Sequence, residues 1–185
     1  MGPILGLGGP GVFSFGATLK LTSYLGAGVT FAMIPTMRVS IYGEAVLNYQ
    51  HYDIYGRIYP FGGAFFLGAG AGYETVGGSL SKTIDVPNFG TQSVESVGSV
   101  RTLVLTPVIG LLHTFDSGFS LGLDAGVQIP IAPSEIEFET STSGSIPPDI
   151  AEPYLEPINA SVRDTLETIG RTPVPTFNLR IGWLF

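Results

Sequence analysis

Residues 177–185 read FNLRIGWLF, and every second side chain in that run is large and apolar. At the two-residue period of a β-strand, Phe177, Leu179, Ile181, Trp183 and Phe185 share one face, and Asn178, Arg180, Gly182 and Leu184 share the other. The fold turns on which face points inward. The same alternation recurs along the chain. Over residues 12–22, Phe13, Phe15, Ala17, Leu19 and Leu21 alternate with Ser14, Gly16, Thr18, Lys20 and Thr22; residues 37–49 and 119–129 repeat the pattern, and 25–34, 51–59, 64–76 and 100–115 carry it less cleanly. Period-2 patterning of this kind predicts strands, eight in all with the last.

Composition says which environment those strands meet. Charged residues are 12% of the 185, against about 25% in soluble domains, while hydrophobic residues are 44% and glycines number 26. No stretch supplies the roughly 20 apolar residues of a membrane-spanning helix. The apolar residues are instead dispersed between Gly, Ser and Thr. Cysteine is absent, so no disulfide framework or thiolate metal site is expected. The N-terminus, MGPILGLGGPGV, lacks the basic region of a secretory signal, and Met1 reads as the start of a trimmed chain.

Connection lengths point the same way. Pro35-Thr36, residues 60–63 and residues 116–118 read as tight turns, whereas 77–99 and 132–175 read as long loops. Short turns at one end, long loops at the other and an even strand count are the build of bacterial outer-membrane barrels. Eight strands enclose a lumen that side chains just fill. The more polar face, rich in glycine at 16, 26, 28, 68, 70, 72, 122, 126 and 182, suits that cramped interior, and the Leu, Phe, Val and Ile face suits lipid. The expected fold is therefore all-β: a single domain over 1–185, an eight-stranded antiparallel transmembrane up-and-down barrel. Within the last long loop, Ile158, Val162, Leu166 and Ile169 fall at helical spacing before Gly170, predicting a short helix held in by Pro153 and Pro157. Pro107 interrupts a strand and predicts a bulge; Pro130 marks where strand seven leaves the membrane.

Charged residues divide between lumen and loops. Lys20, Arg38, Arg57 and Arg180 fall on the lumen parity with Glu44, Asp53, Glu74 and Asp124. Unpaired charges there would be costly, so a polar network filling the lumen is expected; a narrow channel or small-molecule conduit is the alternative. The loops at 77–99 and 132–175 hold ten acids and three bases, which accounts for the whole net charge of −7. No basic patch exists for nucleic acid. Glu135, Glu137 and Glu139 would line one face of an extended segment, a weak candidate for a divalent cation bridging to lipopolysaccharide phosphates, with a solvated acidic rim as the simpler reading. No other metal and no cofactor is expected.

These features together resemble the small eight-stranded outer-membrane β-barrels of Gram-negative bacteria, of OmpA/OmpX architecture. The C-terminal strand resembles the signal read by the barrel assembly machinery, which implies that role for Asn178, Trp183 and Phe185, although Arg180 stands where such strands often carry glycine. "IYPFGGAFFLGAGAGY" is similar to turns in a group of uncharacterised outer-membrane proteins. The resemblance implies an integral outer-membrane location with periplasmic termini. Barrels of this architecture include lipid-modifying enzymes and proteases that use histidine. Here only His51, placed near the outer rim beside Tyr49 and Asp53, and His113, on the lipid-facing parity, are available, with no positioned nucleophile. The expected role is non-enzymatic, structural or surface-interacting. Its partners would be membrane lipid, lipopolysaccharide and a protein at the 132–175 loop.

Overall fold

The computed structural model describes residues 1–40, 44–86, 90–132, 135–142 and 148–185. The chain runs β1 (Gly2–Gly9), β2 (Phe13–Lys20), β3 (Leu25–Ser40), β4 (Glu44–Ile58), β5 (Phe65–Val86), β6 (Gly90–Thr114), β7 (Phe119–Pro130), β8 (Glu135–Thr142), α1 (Pro148–Arg171) and β9 (Val174–Trp183). Every strand pairing is antiparallel. Strands β1 to β7 and β9 close into an eight-stranded barrel, with β9 returning beside β1 and β5 joined to β6. Closure leaves the barrel wall no open edge. Among the described residues no helix is long and apolar enough to cross a membrane.

The side chains are arranged inside out relative to a soluble barrel. Leu5, Phe15, Ile54 and Ile109 are exposed on the exterior, Ile54 at 71%, whereas Asp124 and Ser120 are at 1% and 0%. Leu5, Phe15, Phe31, Tyr52, Tyr73 and Leu103 lie opposite one another on successive strands. They make a continuous apolar ridge, with the rings of Phe31 at 4.9 Å from Phe15 and 4.6 Å from Tyr52.

Eight barrel strands are present, but they are not the eight that alternation predicts. The segment Gly2–Gly9 is a strand, with Ile4 inward and Leu5 and Leu7 outward; its glycines hide the period. The predicted strands at 25–34, 37–49 and 51–59 are only two. Pro35-Thr36 is no turn: β3 continues through it, and its register against β4 shifts between Ile34 and Met37. A proline without an N–H that slips the alternation reads equally as turn or bulge in sequence. The residues between β3 and β4, 41–43, lie outside the described residues. A turn that sequence spacing did not mark joins β2 to β3 at 21–24, where Leu21 N donates to Leu25 O at 2.9 Å.

The long loops are also corrected. Residues 77–86 and 90–99 are strand, a single ladder running from Phe65 opposite Leu111 to Val86 opposite Gly90. Within 132–175, β8 pairs with the upper half of β6 along the edge that β7 occupies below, so the acidic alternation at 135–139 is strand as its period implied. Helix α1 starts at Pro148, with Pro153 and Pro157 inside it, and ends at Arg171, past Gly170. Each internal proline removes one hydrogen-bond donor, yet the helix persists because it is packed against β6 and β8. Leu166 is 8% exposed and closes over Gly98, where an added Cβ would come within 3.0 Å of it. Asn159 Oδ1 accepts from Thr140 Oγ1 at 2.6 Å, and the Arg163 guanidinium lies 5.4 Å from the Phe138 ring. Gly98, Phe138 and Thr140 share one wall face, the inward one, so α1 lies over the barrel mouth. Pro107 carries no bulge: register against β5 and β7 is the same on both sides of it, although the β7 pairing skips 106 and 107. β7 does end at Pro130.

The closed lumen as candidate functional site

Three strands bring charge to one point of the lumen. Asp124 on β7 sits beside Arg180 and Asn178 on β9, its neighbour in the sheet, and across the barrel from Arg57 on β4. Arg180 Nε donates to Asp124 Oδ2 and its Nη2 lies 3.5 Å from Oδ1. Asn178 Nδ2 donates to Oδ1 at 2.9 Å, and Arg57 Nη2 approaches Oδ2 at 4.0 Å. One carboxylate thus serves two guanidiniums, both nearly inaccessible to solvent: Arg57 is 3% exposed and Arg180 9%. The Arg57 guanidinium lies 4.4 Å from the ring centroids of both Tyr55 and Phe66. Aromatic faces stabilise a cation most where water is excluded.

A second polar cluster involves β4 and β5. His51 Nε2 faces Asp53 Oδ2 at 3.8 Å, and Glu74, 8% exposed, lies directly opposite His51 on β5. Tyr49 and Gln128 hydrogen-bond across the barrel at 3.1 Å. His51 and Tyr49 are therefore buried in the barrel interior and not exposed at its rim. His113 faces outward, edge-on to Phe115 at 4.5 Å.

Toward the end where the termini meet, Ile4, Tyr59, Phe66 and Leu112 form an apolar layer that closes the lumen, with Val108 and Leu184 against it. There Met1 N donates to Phe185 O at 2.6 Å. Glycines let large side chains cross this narrow interior. A Cβ at Gly110 would stand 2.7 Å from Phe66 Cζ and 2.8 Å from Asp124 Cβ, and one at Gly70 would stand 2.6 Å from Asp53 Oδ2. At Gly68 and Gly70 the missing Cβ leaves room for the side chains of Arg57 and Asp53 on β4. Between these side chains lies a cavity of about 50 Å³, lined by residues including His51, Asp53, Arg57, Thr106, Thr176 and Arg180.

Of the eight predicted lumen charges, Asp53, Arg57, Glu74, Asp124 and Arg180 are inside. Lys20 is exposed at the rim, its Nζ 4.8 Å over the Tyr59 ring. Arg38 and Glu44 belong to β3 and β4, and their side chains lie outside the described ones. Sequence reasoning missed the Tyr55–Arg57–Phe66 sandwich and the hydroxyls of Thr106 and Thr176; strand parity, followed through β5, β6 and β9, is the signal that finds them. Glu135, Glu137 and Glu139 are all exposed on the outer face of β8, with Glu135 opposite Arg101, and Arg101 stacks on Tyr73 at 4.7 Å. Among the described residues no group of three His, Cys, Asp or Glu side chains converges as a metal site.

A closed eight-stranded barrel with an apolar exterior and a packed polar interior is the architecture of the small outer-membrane β-barrels. Two solved structures share it over the whole chain. The crystal structure of Acinetobacter baumannii CarO matches with a TM-score of 0.59 at 15% identity, and that of Acinetobacter baumannii CarO2 with 0.58 at 10%, each covering 100% of this chain and 97% of its own. At such identities the likeness is one of fold. No protein-family model matches the sequence, and no curated protein sequence matches it.

Proposed function

We propose that the protein is a non-conducting, non-enzymatic barrel of the bacterial outer membrane. On this reading its termini are periplasmic and its role is structural or surface-interacting. The observation that carries the reading is the folded segment between β7 and β9. An interaction surface needs order above the membrane, and there β8 and α1 build a platform on the extended β5–β6 hairpin. Beneath it the lumen is packed shut by the Asp124 cluster and the apolar layer. The platform is acidic, with Glu135, Glu137, Glu139, Glu152, Glu156 and Asp164 exposed, which favours a protein partner over nucleic acid. The exterior ridge would meet lipid and lipopolysaccharide, and Asn178, Trp183 and Phe185 would be read by the assembly machinery. No cofactor enters this role. Current recording on the refolded full chain in planar bilayers tests it: a silent, heat-modifiable barrel is expected, and a steady ion-selective current altered by Arg57→Gln would replace it with the conduit reading.

A further inference from the structure

The lumen cavity gathers polar atoms that no side chain on its wall satisfies. Arg57 Nε and Nη1, His51 Nδ1, Asp53 Oδ1, Thr106 Oγ1 and Thr176 Oγ1 are buried and make no hydrogen bond within the protein. All five residues line the same cavity. Four are more than nine-tenths buried: Arg57 at 3%, His51 at 5%, Thr106 at 6% and Thr176 at 7%. Buried donors and acceptors without partners oppose folding, and their convergence on one chamber indicates an occupant.

Charge, hydrogen-bonding sense and size select that occupant. Arg57 and Arg180 on the cavity wall are balanced by Asp53 on the same wall and by Asp124, which pairs with both from behind it, so neither a free anion nor a free cation gains. The guanidinium can only donate, an ionised carboxylate can only accept, and the hydroxyls do either; an occupant must therefore offer both. A buried water needs roughly 10–15 Å³ of such space and two to four polar partners, so about 50 Å³ holds roughly three to five. We infer that the cavity is a hydration site, a cluster of long-lived waters that completes the hydrogen bonding of Arg57, His51, Asp53, Thr106 and Thr176. The cluster makes a wet chamber above the apolar layer of Ile4, Tyr59, Phe66 and Leu112. It also explains how Arg57, 4.0 Å from a carboxylate that Arg180 holds more closely, is accommodated without an acid of its own. This goes beyond the closed-barrel reading, which holds whether the chamber is wet or dry.

The test uses the full chain refolded in lipid nanodiscs, with folding checked by heat-modifiable mobility. Water-selective NMR would show cross-peaks of long-lived waters to the Arg57 Nε–H. The near-isosteric substitutions Thr106→Val and Thr176→Val would each lower the urea midpoint of unfolding, because a water loses a partner. Absence of the cross-peaks means a dry cavity and overturns the inference. A midpoint that rises on either substitution overturns it too, because removing a hydroxyl that nothing solvated is stabilising.

Discussion

Replacing Asp124 with alanine removes the shared acceptor of Arg180, Asn178 and Arg57 in one step. The carboxylate is 1% exposed, and the two guanidiniums it serves are at 3% and 9%, so water cannot readily take its place. Removing one partner of a buried ion pair costs about 3–5 kcal/mol, because the other charge stays buried and uncompensated. At 1.36 kcal/mol per decade, the folding equilibrium should shift by roughly two to four decades. Reversible urea unfolding in lipid vesicles, followed by the fluorescence of the single tryptophan, Trp183, reads this directly. Asp124→Asn, which keeps the shape and some acceptor capacity, should cost less. The double substitution Asp124→Ala with Arg180→Met should also cost less than Asp124→Ala alone, since it removes one stranded cation. An Asp124→Ala protein within about 0.5 kcal/mol of the parent, the range of ordinary surface substitutions, would refute the reasoning.

Other consequences follow from the same packing. Ile54→Lys places a charge on the lipid face and should cost about 2–4 kcal/mol in bilayers near the midplane, while leaving detergent-micelle folding less affected; equal effects in both would count against a lipid-facing wall. Leu166→Ala should free α1 from Gly98, at roughly 2–5 kcal/mol for a buried leucine, so that protease cuts within 148–171 while the barrel stays heat-modifiable. Phe185→Ala should lower the yield of assembly-machinery insertion yet leave spontaneous refolding into vesicles unchanged; a loss in both would make Phe185 a stability residue and not a signal.

The fold was legible wherever strand faces differ strongly in polarity. Residues 119–129 and 177–185 show alternation so plainly that their in–out assignment matches the burial of Asp124 and Arg180. It was illegible where glycine blurs the faces, as in β1, and where proline imitates a turn, as at Pro35. The far end of the β5–β6 ladder, 77–86 with 90–99, reads as loop in sequence because Ser, Gly and Thr on both faces mimic loop composition, although the ladder needs only backbone hydrogen bonds. Helix α1 extends further than its prolines suggested, since tertiary packing overrides local propensity. Within the lumen, parity identified Asp53, Arg57, Glu74, Asp124 and Arg180, misplaced Lys20, and gave no partners: which acid meets which base depends on strand tilt and on who crosses the barrel, and neither is written in spacing. His51 illustrates the difference, an apparent rim residue that parity alone placed beside Asp53 and that the fold sets opposite Glu74 as well.

The most direct measurement uses Trp183, which stands on the outer wall at 45% exposure, its ring 5.8 Å from that of Phe119. The full chain would be refolded in vesicles of lipids brominated close to the headgroup, and the quenching of its fluorescence compared with quenching by aqueous acrylamide. An apolar face turned outward into lipid predicts strong quenching by the brominated lipid and weak quenching by acrylamide. The reverse result would mean that this face does not meet the membrane, and the inside-out barrel would have to be abandoned.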